Sequence, residues 1–174
     1  MIIGMSIAAF TTLHVIISLV GIASGIVVLA AMLNGRAPSG WTALFLATTI
    51  LTSVTGFMFP FGGAVTPGQV IGALSLILLA VALFALYAQH LTGAWRWIYV
   101  LTALPALYFN CLVAIVQSFQ KFAWLHALAP TQSEPPFQVV QLVMLAIFVV
   151  AAIFAVRRFH PERRPSVAFE ASMP

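Results

Sequence analysis

Residues 97–119 read WIYVLTALPALYFNCLVAIVQSF, an apolar run that contains Pro105, Asn110 and Gln117. The irregular segment KFAWLHALAPTQSEPPF follows at residues 121–137. An apolar run of this length, without period-two alternation, is typical of a helix that crosses a bilayer. Polar side chains in such a helix usually face the interior of a helix bundle, so we expect any site of this chain in this region.

The composition indicates an integral membrane protein. Of 174 residues, 63% are hydrophobic and 6% are charged, whereas soluble domains carry about 25% charged residues. The formal net charge is +4. The basic residues concentrate near the C-terminus, and in a membrane protein such a cluster usually indicates the cytoplasmic side. We therefore expect no nucleic-acid partner. The single cysteine, Cys111, lies in an apolar run and excludes an intrachain disulfide.

Five apolar stretches are long enough to cross about 30 Å of hydrocarbon, which requires about 20 helical residues. We therefore predict an all-α, polytopic membrane protein, a bundle of five transmembrane helices within residues 1–158. The remaining residues, 159–174, are predicted to form a short, disordered cytoplasmic tail. The predicted spans are residues 6–33, 41–59, 68–90, 97–119 and 138–156, with an outer loop at residues 120–137.

The distribution of basic residues predicts the orientation. With five spans, six arginines fall on one side of the membrane and only Lys121 falls on the other. By the positive-inside rule, the N-terminus lies outside and the C-terminus lies in the cytoplasm. The six residues are Arg36, Arg96, Arg157, Arg158, Arg163 and Arg164.

Small and hydroxylated residues predict how the spans pack. Ser18, Gly21 and Gly25 form a small-residue stripe on span one, which favours close helix packing. Span two is rich in threonine and serine, whose hydroxyls in membrane helices commonly bond to their own backbone carbonyls. We expect both features to serve packing.

Five polar residues predict a pocket that opens to the outside. His14 lies in span one, Asn110 and Gln117 share a face of span four, and Gln138 and Gln141 begin span five at the same membrane level. One interpretation is a site that binds or passes a small molecule or an ion. The other is structural: an imidazole bonded to a neighbouring helix and amides bonded between helices. The sequence leaves both open.

The outer loop carries the remaining candidates, Lys121, His126 and Glu134. Residues 127–136 look too irregular for a helix, and Pro135 and Pro136 favour an extended backbone before span five. The loop would act as a lid over the pocket or as a plain connector, and Lys121 could pair with Glu134.

Two alternatives come from other functional classes. The chain could be an accessory subunit that docks on a larger membrane complex through the small-residue face of span one. Its partners would then be the lipid bilayer and another membrane protein or a second copy of the chain. His14 alone supports the other alternative, an electron-transfer protein that carries haem b or contacts a quinone, although no cofactor is assigned.

Enzymatic and metal chemistry have little basis in the residues. The predicted spans contain no acidic residue, so no acid–base pair for catalysis is visible, and a non-enzymatic role is favoured. No cluster supplies the four ligands of a structural zinc site.

Four segments carry a resemblance to other proteins: GWTALFLATT at 40–49, SVTGF at 53–57, GAWRWIY at 93–99 and APTQSEPPF at 129–137. The chain resembles a group of small, uncharacterised multi-span membrane proteins found in proteobacteria. The resemblance covers nearly the whole chain and implies a location in the bacterial inner membrane. It implies no activity and no functional residues.

Overall fold

The computed structural model describes residues 1–36, 40–60, 63 and 65–160. The described chain is helical, and a π-helical turn at Phe84–Ala88 extends α3. The helices are α1 (Ile7–Leu33), α2 (Gly40–Gly56), α3 (Pro67–Leu83), α4 (Trp95–Lys121), α5 (Ala123–Leu128) and α6 (Pro135–Arg158).

Four of the described helices are long and apolar enough to cross a membrane: α1, α3 with its π-helical turn, α4 and α6. The prediction of an all-helical chain with several apolar spans is confirmed at this level. The fifth predicted span, residues 41–59, is present as α2, a helix of 17 residues. At 1.5 Å per residue, α2 is about 26 Å long, slightly less than the hydrocarbon thickness of about 30 Å.

Local sequence determines where two of the helices begin. The Ser6 side chain accepts a hydrogen bond from the Ala9 N–H at 3.2 Å and caps α1. Thr66 and Gln69 form a reciprocal capping box before α3, with Pro67 in its first turn. These bonds satisfy backbone donors that have no partner within a helix.

Helices α1 to α4 form a core bundle in which α1 packs on α2, α2 on α3, α3 on α4 and α4 on α1. Helix α6 lies outside this bundle and packs on α4 and α1. Nine residues of α4 are buried, whereas α6 buries only Ala155. The apolar core lies at one end of the bundle and includes Met32, Phe45, Leu79 and Leu107.

Gly25 explains why α1 approaches α2 and α4 so closely. A methyl group at this position would meet the Leu107 side chain at 2.5 Å and the Phe45 ring at 2.9 Å. Such distances leave no room for a side chain. The small-residue packing predicted for α1 is confirmed at Gly25.

The segment between α4 and α6 is more regular than the sequence suggested. Residues 127 and 128 complete α5, and Pro135 and Pro136 occupy the first turn of α6 instead of an extended segment. Proline suits the first helical turn because its missing N–H would have no partner there and its φ is already helical.

The C-terminal end of α6 returns to the core bundle. Phe159 is buried and its ring lies 6.0 Å from the Tyr99 ring. The Arg96 guanidinium donates a hydrogen bond to the Phe159 carbonyl at 2.9 Å. Phe159, which the sequence analysis assigned to the tail, therefore belongs to the packed structure. The rest of the predicted tail, from residue 161 onward, lies outside the described residues.

Candidate functional site

A cavity of about 640 Å³ lies between α1, α2, α3 and α4. It lies where α1 begins, α2 ends, α3 begins and α4 ends, and we call this the cavity end of the bundle. Small-molecule sites in proteins usually measure about 300–1,000 Å³ and combine an apolar wall with a few polar groups. The volume of this cavity falls in that range.

Three of the five residues predicted for a pocket line this cavity. They are His14 on α1 and Asn110 and Gln117 on α4. Lys121, at the last residue of α4, also lines it. The other predicted residues, Gln138 and Gln141 on α6 together with His126 and Glu134 of the outer loop, are not among its lining residues.

His14 is held by a hydrogen bond to the neighbouring helix. Its Nδ1 lies 2.7 Å from the Thr55 hydroxyl oxygen, which in turn lies 2.6 Å from the Leu51 carbonyl oxygen. A hydroxyl has one proton. We assign that proton to the carbonyl, so Thr55 accepts from the His14 Nδ1–H. The Nε2 of a neutral His14 then carries the lone pair and is an acceptor.

Asn110 lies at the closed end of the cavity, which we call the floor. Its side-chain amide donates to the Ser18 carbonyl at 3.4 Å, a long hydrogen bond. Gly21 permits this approach, since a methyl group there would lie 3.1 Å from the Asn110 nitrogen and 3.3 Å from the Thr49 hydroxyl. One turn deeper, Gly25 packs against the apolar core.

Most hydroxyls of the cavity wall donate to their own helices, as the sequence predicted for span two. Thr52 donates to the Thr48 carbonyl at 2.9 Å, and Ser53 donates to the Thr49 carbonyl at 3.0 Å. Ser18 behaves in the same way on α1. Because their protons are already engaged, these groups offer a ligand acceptor oxygens only.

Sequence reasoning missed the contribution of α3. Gln69, Gly72 and Ser75 line the cavity. Gly72 makes room for the Phe57 ring, since a methyl group at this glycine would lie 3.2 Å from the ring. In the sequence, Gln69 and Ser75 are isolated polar residues of a largely apolar span. No periodic pattern distinguishes them from ordinary packing.

Gln138 and Gln141 lie apart from the cavity because α6 packs on the outer side of α4. Gln138 donates to the Ser133 carbonyl at 2.7 Å, within the loop. The Gln141 amide is buried, and neither its nitrogen nor its oxygen has a hydrogen-bond partner among the described residues. Membrane level alone therefore did not identify the helix face on which these side chains lie.

Glu134 is engaged by its own loop. Its carboxylate accepts hydrogen bonds from the Thr131 N–H at 3.1 Å, the Thr131 hydroxyl at 2.9 Å and the Ser133 N–H at 3.1 Å. Desolvation raises the pKa of Glu134, but these hydrogen bonds outweigh it and hold the pKa below its ordinary value. The carboxylate thus orders the turn before α6.

The described residues contain no group of three or more His, Cys, Asp or Glu side chains that would hold a metal ion. His14 is the imidazole of the described cavity wall, whereas His126 lies on α5 and is not among the lining residues.

Comparison with protein-family models, with curated proteins and with solved structures found no match. The functional interpretation therefore rests on the cavity and on the side chains that surround it.

Proposed function

We propose that the protein is a non-enzymatic, multi-pass protein of the bacterial inner membrane that binds a small molecule in the cavity of the core bundle. The observation that carries this proposal is the cavity of about 640 Å³. Each of the four helices of the core bundle contributes polar side chains to its wall, although the helices are otherwise apolar. The resemblance to small membrane proteins of proteobacteria supports the location.

The topology proposed is five spans with the cavity end outside. Helix α2 packs antiparallel on α1, and the Phe57 and Met58 N–H groups continue it by donating to the Val54 and Thr55 carbonyls. Helix α2 would then serve as the remaining span. The excess of arginine at the opposite end supports a cytoplasmic C-terminus.

The closed floor favours binding over passage. Below Asn110 and Gly21, the bundle is filled by Gly25, Leu107 and Phe45, which leave no space between α1, α2 and α4. A small molecule that enters from the cavity end therefore meets packed apolar side chains and stops there.

The test is native mass spectrometry of protein purified from gently solubilised membranes. We expect a retained small-molecule mass on the wild type and its loss in Ala114→Trp, which fills the cavity from α4. Ala80→Trp on the exposed side of α3 is the matched control and should keep the mass. Ser118→Trp, which lies farther from the floor along α4, serves as a second cavity variant if Ala114→Trp fails to fold.

The same spectra address the accessory-subunit alternative. A bare protein in the wild type, or a bound mass that persists in both cavity variants, contradicts the proposed function. A second protein that co-purifies in constant ratio, with no small molecule, instead favours a subunit that docks on a larger complex.

A further inference from the structure

The floor of the cavity presents hydrogen-bond donors that have no acceptor in the described part of the chain. We propose that the ligand is an uncharged, lipid-soluble molecule and that its carbonyl oxygen is received at this floor. The inference rests on the proposed function and names the chemical class of the ligand.

Thr49 and Ser75 supply the first two donors. Thr49 is 1% exposed and Ser75 is 4% exposed, and both line the cavity. The Thr49 hydroxyl is a buried atom without a hydrogen-bond partner among the described residues, and the Ser75 hydroxyl makes no hydrogen bond to the described part of the chain. A buried hydroxyl without a partner is costly. These two differ in this respect from Thr52 and Ser53, whose protons are engaged by their own helices.

Asn110 supplies the third donor. Its amide carries two N–H groups, and only one is engaged, in the long bond to the Ser18 carbonyl. Gly21 lies close to both the Asn110 amide nitrogen and the Thr49 hydroxyl, so these two groups lie at the same depth of the cavity. Ser75 reaches that level from α3, because Gly72 lies opposite the Ser53 carbonyl and Ser75 and Thr49 each lie one turn deeper.

The absence of charge at this level restricts the acceptor. Among the described lining residues, Lys121 alone carries a formal charge, and it lies at the end of α4, far along the helix from Asn110. A carboxylate or phosphate buried at the floor would have no cation beside it, which is strongly unfavourable. A carbonyl oxygen accepts the same hydrogen bonds without that penalty.

The side of the cavity indicates where the rest of the ligand lies. Val15 and Leu19 line the cavity and are also 40% and 56% exposed, so they form an apolar rim on α1. Helix α6 meets α1 at the opposite end, where Gly35 lies beside the Arg158 carbonyl, and no described residue of α6 covers this rim. An apolar chain that passes over the rim enters the surrounding lipid.

Two sources supply such a molecule: a quinone with an apolar tail and an acyl ester lipid. Native mass spectrometry of the delipidated protein separates them with decyl-ubiquinone, monodecanoylglycerol and monodecylglycerol ether, which lacks the carbonyl. We expect binding of at least one carbonyl probe and about tenfold weaker binding of the ether, because an ether oxygen is a weaker acceptor than the ester carbonyl oxygen and the glycerol hydroxyls are common to both probes.

The variants test the floor directly. Thr49→Val combined with Ser75→Ala should weaken binding of the carbonyl probe about tenfold and change binding of the ether much less. Thr102→Val is the matched control, since its buried hydroxyl bonds to its own helix away from the cavity. Asn110→Leu should act like the double variant, and the double variant suffices if Asn110→Leu does not fold.

Each outcome of these binding measurements supports or overturns the inference. Binding of the quinone alone, of the ester alone or of both, with loss in the floor variants, supports the inference and identifies the source. Equal binding of ether and ester, unchanged binding in the floor variants, or no binding of either carbonyl probe overturns it. The proposed function is judged separately, by the endogenous mass retained or lost in Ala114→Trp.

Discussion

The hydrogen bond between His14 and Thr55 joins α1 to α2 at the wall of the cavity. This contact is the structural alternative that the sequence left open for His14, an imidazole bonded to a hydroxyl of a neighbouring helix. It does not remove His14 from the cavity, because Nε2 stays available as an acceptor. One residue thus joins two helices and also offers a ligand a polar atom.

Replacement of Thr55 by valine tests this bond. Thr55→Val leaves the His14 Nδ1–H without its partner, and we expect the free energy of unfolding to fall by about 1 kcal/mol. Thermal unfolding in detergent measures the change. Thr52→Val is the control, since Thr52 donates only to its own helix. Equal midpoints for the two variants would contradict a stabilising role for the interhelical bond.

At the scale of elements, the position of α6 separates what the sequence could predict from what it could not. Two aromatic pairs fix α6 on α4: Tyr108 with Phe148 at 5.5 Å and Phe119 with Phe137 at 5.2 Å. They determine which face of α6 meets the bundle. Gln141 consequently packs beside α4 without a partner among the described residues.

Replacement of Gln141 is predicted to stabilise the protein, whereas most substitutions destabilise one. Gln141→Leu removes two buried polar atoms that have no partner in the described part of the chain and keeps a side chain of similar size. We expect the protein to become more stable by about 1–3 kcal/mol. Gln138→Leu is the control, because it removes the bond to the Ser133 carbonyl and should give no gain. A lower unfolding midpoint for Gln141→Leu would show that the amide is satisfied in the membrane.

The turn before α6 provides a pH-dependent prediction. Because the pKa of Glu134 is lowered in the folded chain from 4.5, its ionised form stabilises the turn above the ordinary pKa, and this contribution is lost as the pH falls through the lowered value. The amide shifts of Thr131 and Ser133 should titrate with a midpoint below 4.5. They should not titrate there in Glu134→Gln. A midpoint at or above the ordinary value contradicts the hydrogen-bonded turn.

The sequence predicted the apolar helices and part of the cavity, and its failures have a common physical cause. Depth within an apolar span was enough to single out His14, Asn110 and Gln117. Ser75 carried no such signal, since one hydroxyl in a helix is ordinary. Gln138 was chosen for its membrane level, but rotation of α6 about its axis is determined by tertiary contacts that one sequence does not encode locally.

At the scale of the whole molecule, consecutive helices of the core bundle run antiparallel. Once one loop is assigned to a side of the membrane, the sides of the other loops follow. The segment between α4 and α6, which contains Ser133, lies at the cavity end. The loop before α4, which contains Thr92, lies at the opposite end. The positive-inside rule predicts that the cavity end faces the outside, which is the proposed topology. In this proposed topology, the proposed ligand would enter from the outer aqueous phase or the outer leaflet of the membrane.

Cysteine labelling measures this orientation. In a Cys111→Ala background, Ser133→Cys should react with a membrane-impermeant maleimide on intact spheroplasts, whereas Thr92→Cys should react only after lysis. The rationale is geometric: α4, with 27 residues and a length of about 40 Å, lies between the two positions, so we expect them on opposite faces of the bilayer. The reverse pattern would place the cavity on the cytoplasmic side. The ligand would then have to be sought in the cytoplasm or the inner leaflet, while the donor chemistry of the floor would be unaffected.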